Sequence, residues 1–91
     1  MPITVRIPLT LRRLCGGEEL VEVHAGTVAS ALGELQARFN GVHERLMDER
    51  SEIRGSVLVF VNDEDIRFLQ NRDTPLRDGD EMSIIPAFAG G

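Results

Sequence analysis

A change of hydrophobic period within the first forty residues constrains the fold more than any other feature. Residues 3–9 alternate apolar with polar side chains, which predicts a half-buried strand with these residues on one face: Ile3, Val5, Ile7 and Leu9. After "LCGGEE" the alternation returns with Val21 and Val23. Two alternating stretches across a glycine-containing connection predict an antiparallel pair of strands. The period then becomes helical.

The helical stretch begins after residue 26 and carries one apolar stripe. Its members follow the i, i+3, i+4, i+7 spacing of an amphipathic helix: Val28, Ala31, Leu32, Leu35 and Phe39. Thr27 is the predicted N-cap, and Asn40-Gly41 is the predicted end. Gly33 inside this helix costs about 1 kcal/mol relative to alanine, so packing must stabilise the helix. "VHERLMDE" predicts a further short helix.

The second half of the chain predicts three more strands. "VLVFV" at 57–61 reads as a strong strand ended by Asn62-Asp63, a short strand follows with Ile66 and Phe68, and a last strand runs from Glu81 to Ile85. A ferredoxin-like domain would need a helix directly after its first strand. The order therefore predicts an α+β fold of the β-grasp type, with a mixed sheet of four to five strands around one main helix. The last strand lies beside the first.

Two parts are predicted along the chain, a β-grasp domain at 1–86 and a flexible tail at 87–91 that ends in Gly-Gly. No stretch approaches the roughly 20 apolar residues of a membrane helix, and the N-terminus lacks the apolar run of a signal peptide. A cytoplasmic protein without membrane attachment is predicted.

The charge distribution excludes several functional classes. The net charge is −5, and all ten basic residues are arginines. An acidic chain without a basic cluster is a poor candidate for binding nucleic acid. Without lysine there is no side-chain amine for Schiff-base chemistry, and the phosphate-binding G-x-x-x-x-G-K-[ST] loop is excluded.

The residues that most often carry chemistry have simple structural interpretations. Cys15 has no disulfide partner; Arg12 and Arg13 nearby would suit a reactive thiol, but a small residue entering a turn is the favoured reading. His24 and His43 lack metal-ligand spacing, so no metal site is predicted. "NDEDIR" lacks the spacing and glycine of a calcium loop and predicts a charged turn.

The C-terminus offers a different kind of functional group. Ala87–Gly91 span at most about 17 Å when extended, which suffices to enter another protein's active site. Glycine lacks Cβ, so it fits a narrow channel and leaves the terminal carbonyl group unhindered. A carboxylate becomes electrophilic only once it is activated, most simply as an acyl-adenylate. Because this chain has no means of using ATP, a partner must activate it, and the protein is predicted to be a cosubstrate rather than an enzyme.

These features resemble the ubiquitin-like sulfur carriers of the ThiS/MoaD superfamily. The resemblance covers the whole chain and is carried by "LRDGDEMSIIPAFAGG", "VNDEDIRF" and "ERLMD". The last two segments and the length are most similar to the longer branch that includes the carrier for cysteine biosynthesis. The tail departs from the family pattern at Phe88, where a smaller aliphatic residue is common.

The resemblance implies a cycle of activation and sulfur transfer. A ubiquitin-activating-type enzyme would adenylate Gly91 with ATP and Mg²⁺, and sulfur would replace AMP to leave a thiocarboxylate. A downstream synthase, of which this chain could be the small subunit, would use the sulfur for cysteine, molybdopterin or a related product. Gly91 would carry the sulfur and Gly90 would let the tail extend. The partner's channel would be lined by Ala89, Phe88 and Ala87. The carrier itself would bind no cofactor.

The alternation also predicts a docking surface. If Val57, Val59 and Val61 face the helix, then Leu58, Phe60 and Ile85 lie together on the solvent side of the sheet, where exposed apolar clusters mark partner surfaces. We expect the activating enzyme to dock there. A register shifted by one residue would bury these side chains instead.

Two other functions remain open at this stage. A ubiquitin-like modifier, joined through Gly91 to lysines of other proteins, begins with the same adenylation. A β-grasp interaction module with a functionless tail belongs to a different class, and removal of Gly90 and Gly91 would leave it active.

Overall fold

The computed structural model describes residues 2–86, so the predicted boundary at 87 and the tail lie outside the described residues. The elements, in chain order, are β1 (Ile3–Arg6), α1 (Leu9–Arg12), β2 (Leu20–Val23), α2 (Val28–Arg38), α3 (Val42–Leu46), β3 (Val57–Val61), β4 (Glu64–Asp65) and β5 (Glu81–Pro86). Short 3-10 turns cover Arg13–Cys15, Ile66–Phe68 and Asn71–Asp73.

The strands form one mixed sheet in the order β2-β1-β5-β3-β4. β1 and β5 are parallel, and every other neighbouring pair is antiparallel. The first and last strands therefore lie side by side in the middle of the sheet. This arrangement, with α2 packed against one face, confirms the β-grasp prediction. Among residues 2–86, none of the helices has both the length and the apolar composition needed to cross a membrane.

The core lies between α2 and the inner face of the sheet. Alternate residues of the strands are buried, as the period-two pattern predicts, and these residues are Ile3, Val5, Val21, Val23, Val59, Val61, Met82 and Ile84. The helix contributes its predicted stripe of Val28, Ala31, Leu32 and Leu35, with Phe39 partly buried beside it. Packing of this stripe stabilises the helix despite Gly33.

The start of α2 is fixed by a reciprocal cap. The Thr27 hydroxyl oxygen accepts a hydrogen bond from the Ser30 backbone N–H at 3.2 Å, and the Ser30 hydroxyl oxygen accepts one from the Thr27 N–H at 3.2 Å. This confirms Thr27 as the N-cap. The helix ends at Arg38, slightly before the predicted Asn40-Gly41 stop, and Gly41 is the N-cap of α3 with φ of 90°.

Two sequence predictions were wrong, each for a local reason. Leu9 does not continue β1: the strand ends at Arg6, Pro8 precedes α1, and Leu9 opens that helix with 75% of its surface exposed. Neither Ile66 nor Phe68 belongs to the short strand, which is β4 at Glu64–Asp65; both lie in the 3-10 turn that follows it. The Asp65 side chain accepts a hydrogen bond from the Arg67 N–H, which turns the chain into a 3-10 helix and leaves Phe68 82% exposed.

The interior glycine of α2 provides a stability prediction. A Cβ added at Gly33 would meet no other atom within 4 Å, and the residue has ordinary helical geometry. Gly33→Ala should therefore raise the free energy of unfolding by about 0.5–1 kcal/mol, because alanine loses less backbone entropy in a helix. Urea denaturation measures this change. The same substitution at Gly41, where φ is 90°, should destabilise the protein.

Candidate functional site: the tail base and the outer sheet face

The tail leaves from the best-supported strand of the sheet. β5 pairs with β1 over Glu81–Ser83 and with β3 over Met82–Pro86. Pro86, its last residue, lies opposite Val57 of β3. The last three residues of β5 pair only with β3, so β3 fixes the position of Pro86 relative to the rest of the domain.

Three apolar side chains lie together on the sheet face away from α2. Leu58 is the register partner of Ile85, and Phe60 lies two residues further along β3. Leu58 and Phe60 are half-buried, and Ile85 is 39% exposed. We call Leu58, Phe60 and Ile85 the outer patch. The structure thus brings together the three residues that the alternation placed on this face, and their role in docking remains a prediction.

Charged groups border the outer patch on the β1 side. Arg6 is the register partner of Ser83, which in turn lies opposite Phe60, so these three residues form one row across the sheet. The Arg6 guanidinium binds Glu81 at 2.8 Å and Glu19 at 3.1 Å. An apolar centre with a polar border is the usual arrangement of a protein–protein interface.

On the β4 side the border is a carboxylate–guanidinium pair. Asp65 lies opposite Phe60 and is only 8% exposed. Its carboxylate accepts hydrogen bonds from the Arg67 backbone N–H at 2.8 Å, from Arg67 Nε at 3.0 Å and from Arg67 Nη2 at 2.7 Å. The side-chain hydrogen bonds from Arg67, followed by the backbone one, hold the pKa of Asp65 below its usual range. The sequence indicated only a charged turn here.

Protonation of Asp65 should therefore destabilise the fold at acid pH. Because the folded-state pKa lies below the ordinary value of about 3.9, the stabilisation is complete well above that pH and is lost as the pH falls towards the lower folded value. Asp65→Asn should lower the melting temperature at pH 7. The difference in melting temperature between this variant and the native protein should become smaller by about pH 3. Thermal unfolding followed by circular dichroism at both pH values measures this.

Asp63→Asn is the matched control for this experiment. Asp63 is exposed in the adjacent turn with φ of 73°, a conformation that asparagine tolerates well. Its substitution should leave the pH dependence of the melting temperature unchanged. A constant difference between Asp65→Asn and the native protein from pH 7 to pH 3 would contradict the role given to the carboxylate.

Two exposed leucines extend the apolar surface beyond the predicted residues. Leu20 of β2, the register partner of Arg6, lies on the same sheet face and is 47% exposed. Leu9 follows β1, which runs parallel to β5, so it lies at the end of the sheet from which the tail leaves. Leu20 could have been found from the alternation of "ELVEV". Leu9 could not, because its exposure depends on the local break at Pro8.

The remaining candidate groups form no reactive centre. Cys15 is buried, and burial raises the pKa of its thiol against the opposing effect of Arg38, so the thiol is a weak nucleophile. The His43 ring contacts the Gln36 side chain at 3.4 Å. Within residues 2–86 there is no group of three or more His, Cys, Asp or Glu side chains that could hold a metal ion.

The family comparison matches nearly the whole chain. The model of the ThiS family matches residues 5–91. The match begins within β1 and includes the other strands, the helices and the C-terminal Gly-Gly.

The sequence and structure comparisons also extend over full length. The chain is 41% identical over 93 residues to the sulfur carrier protein CysO of Mycobacterium tuberculosis, and the match covers 100% of both chains. It is 32% identical over 94 residues to small archaeal modifier protein 3 of Haloferax volcanii, again with 100% of both covered. A chain of the Amycolatopsis orientalis BexX/CysO complex superposes with a TM-score of 0.88 at 39% identity, covering 98% of this chain and 99% of that one.

Proposed function

The chain belongs to the ThiS family, and from this premise we propose that it is a sulfur carrier whose cargo is held as a thiocarboxylate on Gly91. The observation that carries the proposal is similarity to a sulfur carrier over the full length of both chains. In addition, Gly90 and Gly91 follow within five residues of the end of β5. The protein acts as a cosubstrate and not as an enzyme.

Two chemical steps load the carrier. The Gly91 carboxylate attacks the α-phosphorus of ATP, pyrophosphate leaves, and a mixed anhydride with AMP forms. A sulfide nucleophile then attacks the carbonyl carbon, the C–O bond to AMP breaks, and the thiocarboxylate remains. ATP and Mg²⁺ belong to the activating partner, which is of the ubiquitin-activating type.

The contribution of this chain to the reaction is to position the Gly91 carboxyl group in the partner's active site. β5 fixes the origin of the tail, and the five residues Ala87–Gly91 carry the carboxyl group up to about 17 Å from Pro86. Glycine at 90 and 91 gives the terminal carbonyl group access from both faces. Ala87, Phe88 and Ala89 line the partner's channel, and the outer patch docks the activating enzyme.

The receiving pathway and the cellular location are further parts of the proposal. Similarity to CysO supports cysteine biosynthesis as the receiving pathway. The proposal places the carrier in the cytoplasm and includes a synthase that transfers the sulfur to an activated serine derivative. A complex with such an enzyme is in keeping with the BexX/CysO complex, in which a related chain assembles with a partner protein.

Reconstitution tests the proposal. The purified protein is incubated with host extract, ATP and sulfide, and its intact mass is measured. We expect a species in which one oxygen is replaced by sulfur, dependent on ATP. If the mass of the protein stayed unchanged while the enzymes of the extract were active in the same incubation, the sulfur-carrier function would be contradicted.

A second function is favoured by one relative, the archaeal modifier protein. In that role Gly91 would form an amide with lysines of other proteins. Because the chain itself contains no lysine, it could be attached singly but could not build chains through its own side-chain amines. Ladders of larger adducts on an immunoblot would indicate this function. A change in the mass of the free protein, without such adducts, would indicate the carrier.

A further inference from the structure

The two edges of the sheet differ in how they are covered. At the β2 edge, α2 supplies the cover: Arg38 Nη1 donates to the Glu22 carbonyl oxygen at 2.7 Å, and the Glu34 carboxylate accepts from the His24 N–H at 3.0 Å. Arg38 and Glu34 also pair with each other at 3.3 Å. Such side-chain cover prevents a further strand from adding to an edge.

The opposite edge lacks this cover along half of β3. The Asn62 N–H donates to the Glu81 carbonyl oxygen at 2.9 Å, which sets the alternation of the ladder with β5. Leu58 and Phe60 then bond to β5, and Val57 and Val59 direct main-chain groups to the other side. Of these groups the Val57 N–H is already satisfied, because it donates to the Arg54 carbonyl oxygen at 3.0 Å. β4 pairs only with Phe60 and Val61. Within residues 2–86, no strand lies beside Val57–Val59 on that side.

A groove of about 360 Å³ runs along this uncovered stretch. Its apolar lining includes Ile53, Val57 and Ile66, of which Ile53 and Val57 are only half-buried. Its charged lining includes Arg54, Arg67 and Arg72. We call this the edge groove.

The charge of the edge groove contrasts with that of the whole chain. Three arginines and two carboxylates line it. Arg67 and Asp65 neutralise each other at 2.7 Å, so Arg54 and Arg72 face the single carboxylate of Glu52. Arg54 Nε donates to the Glu44 carbonyl oxygen at 3.0 Å, and Arg72 Nη1 to the Ser51 carbonyl oxygen at 2.9 Å. These bonds hold two guanidinium groups in place, and each group retains further N–H donors. The net charge of the chain, in comparison, is −5.

We propose that the edge groove binds an extended acidic segment of a partner protein, which adds to β3 as a sixth strand. The Val57 carbonyl oxygen and the Val59 N–H supply the ladder bonds, the apolar lining receives alternate side chains, and Arg54 and Arg72 pair with carboxylates on the segment. Val57 also lies opposite Pro86, so the bound segment runs about 10 Å from the base of the tail. The edge groove adjoins the outer patch, because Leu58 belongs to both, and its use does not depend on sulfur transfer.

A peptide titration tests this proposal directly. The uniformly ¹⁵N-labelled protein is titrated with acetyl-Glu-Val-Asp-Val-Glu-amide, and with acetyl-Lys-Val-Lys-Val-Lys-amide as the reverse-charge probe. We expect saturable shifts of the Val57–Val59 amide signals with the acidic peptide, with a Kd of about 1 mM or below, and none with the basic one. Added salt should weaken the binding, because the pairs with arginine are exposed.

Variants identify the charged partner. Arg72→Glu should weaken binding of the acidic peptide about tenfold, equivalent to about 1.4 kcal/mol. Arg13→Glu makes the same charge change on an exposed residue outside the groove and should leave the affinity unchanged. Absence of shifts at Val57–Val59, equal binding of both peptides, or shifts confined to β2 would each overturn the proposal. Self-association of the protein through β3, seen as concentration-dependent sedimentation that the peptide does not compete with, would overturn it in favour of a second copy.

Discussion

Deleting Gly90 and Gly91 should abolish thiocarboxylate formation while leaving the domain folded. The truncated chain would present the carboxyl group of Ala89, which falls short of the original position by about 7 Å when the tail is extended. Misplacement of a reacting group by about 1 Å can already cost about 100-fold in rate, so the loss should be complete within detection. Intact mass after incubation with host extract, ATP and sulfide measures it.

A second variant keeps both glycines and lengthens the tail instead of shortening it. One alanine appended after Gly91 displaces the carboxyl group by about 3.5 Å and should also reduce sulfur loading by at least about 100-fold. Both variants should melt at the temperature of the native protein, because the domain is held by the sheet and α2. If the truncated protein were loaded at the native rate, Gly91 could not be the site of attachment. If it retained every partner and phenotype, the interaction-module hypothesis would be favoured.

Ile85→Asp should cause the second largest loss of sulfur loading. It places a charge at the centre of the outer patch, beside Leu58 and close to the tail base. Central apolar contacts of an interface often contribute 2 kcal/mol or more, so binding of the activating enzyme should weaken by about 30-fold. Because Ile85 is 39% exposed, the substitution should not unfold the domain. The rate of ATP-dependent sulfur loading at limiting enzyme concentration measures the effect.

Phe68→Asp is the control for this substitution. Phe68 is a larger apolar residue and is 82% exposed, but it lies outside the strands, in the 3-10 turn after β4. Its replacement should leave the loading rate within about twofold of native, since substitutions away from the contact surface have small effects. Equal losses for both variants, or no loss for Ile85→Asp, would show that the outer patch does not dock the activating enzyme.

Much of the fold could be predicted because its determinants are local and periodic. The alternation along β1, β2, β3 and β5 fixes which residues face α2, and a single register then places Leu58, Phe60 and Ile85 on the outer face. The Thr27 cap and the stripe of α2 depend on spacing within one helix. The identity of the family depends on the tail and the order of elements, both of which are visible in the sequence.

The features that escaped prediction depend on residues distant in the chain or on a local competing bond. Asp65 is nearly buried because β4 places it beside Phe60, which no period in "NDEDIR" indicates. The edge groove arises from the meeting of segment 52–55 with β3 and the turns after β4. The period-two pattern also includes Leu9 in the first strand, although the chain changes to a helix at Leu9, directly after Pro8.

The thiocarboxylate at Gly91 can be detected in the C-terminal tryptic peptide of protein purified gently from its native host, by measurement of its accurate mass. Cleavage after Arg77 releases residues 78–91. We expect a fraction of this peptide in which sulfur replaces oxygen, with fragment ions that assign the change to Gly91. Oxidation of Met82 adds a nearly equal mass, and accurate mass together with the fragments distinguishes the two. A peptide whose Gly91 stays unmodified, in cells and after incubation with extract, ATP and sulfide, would contradict the sulfur-carrier function.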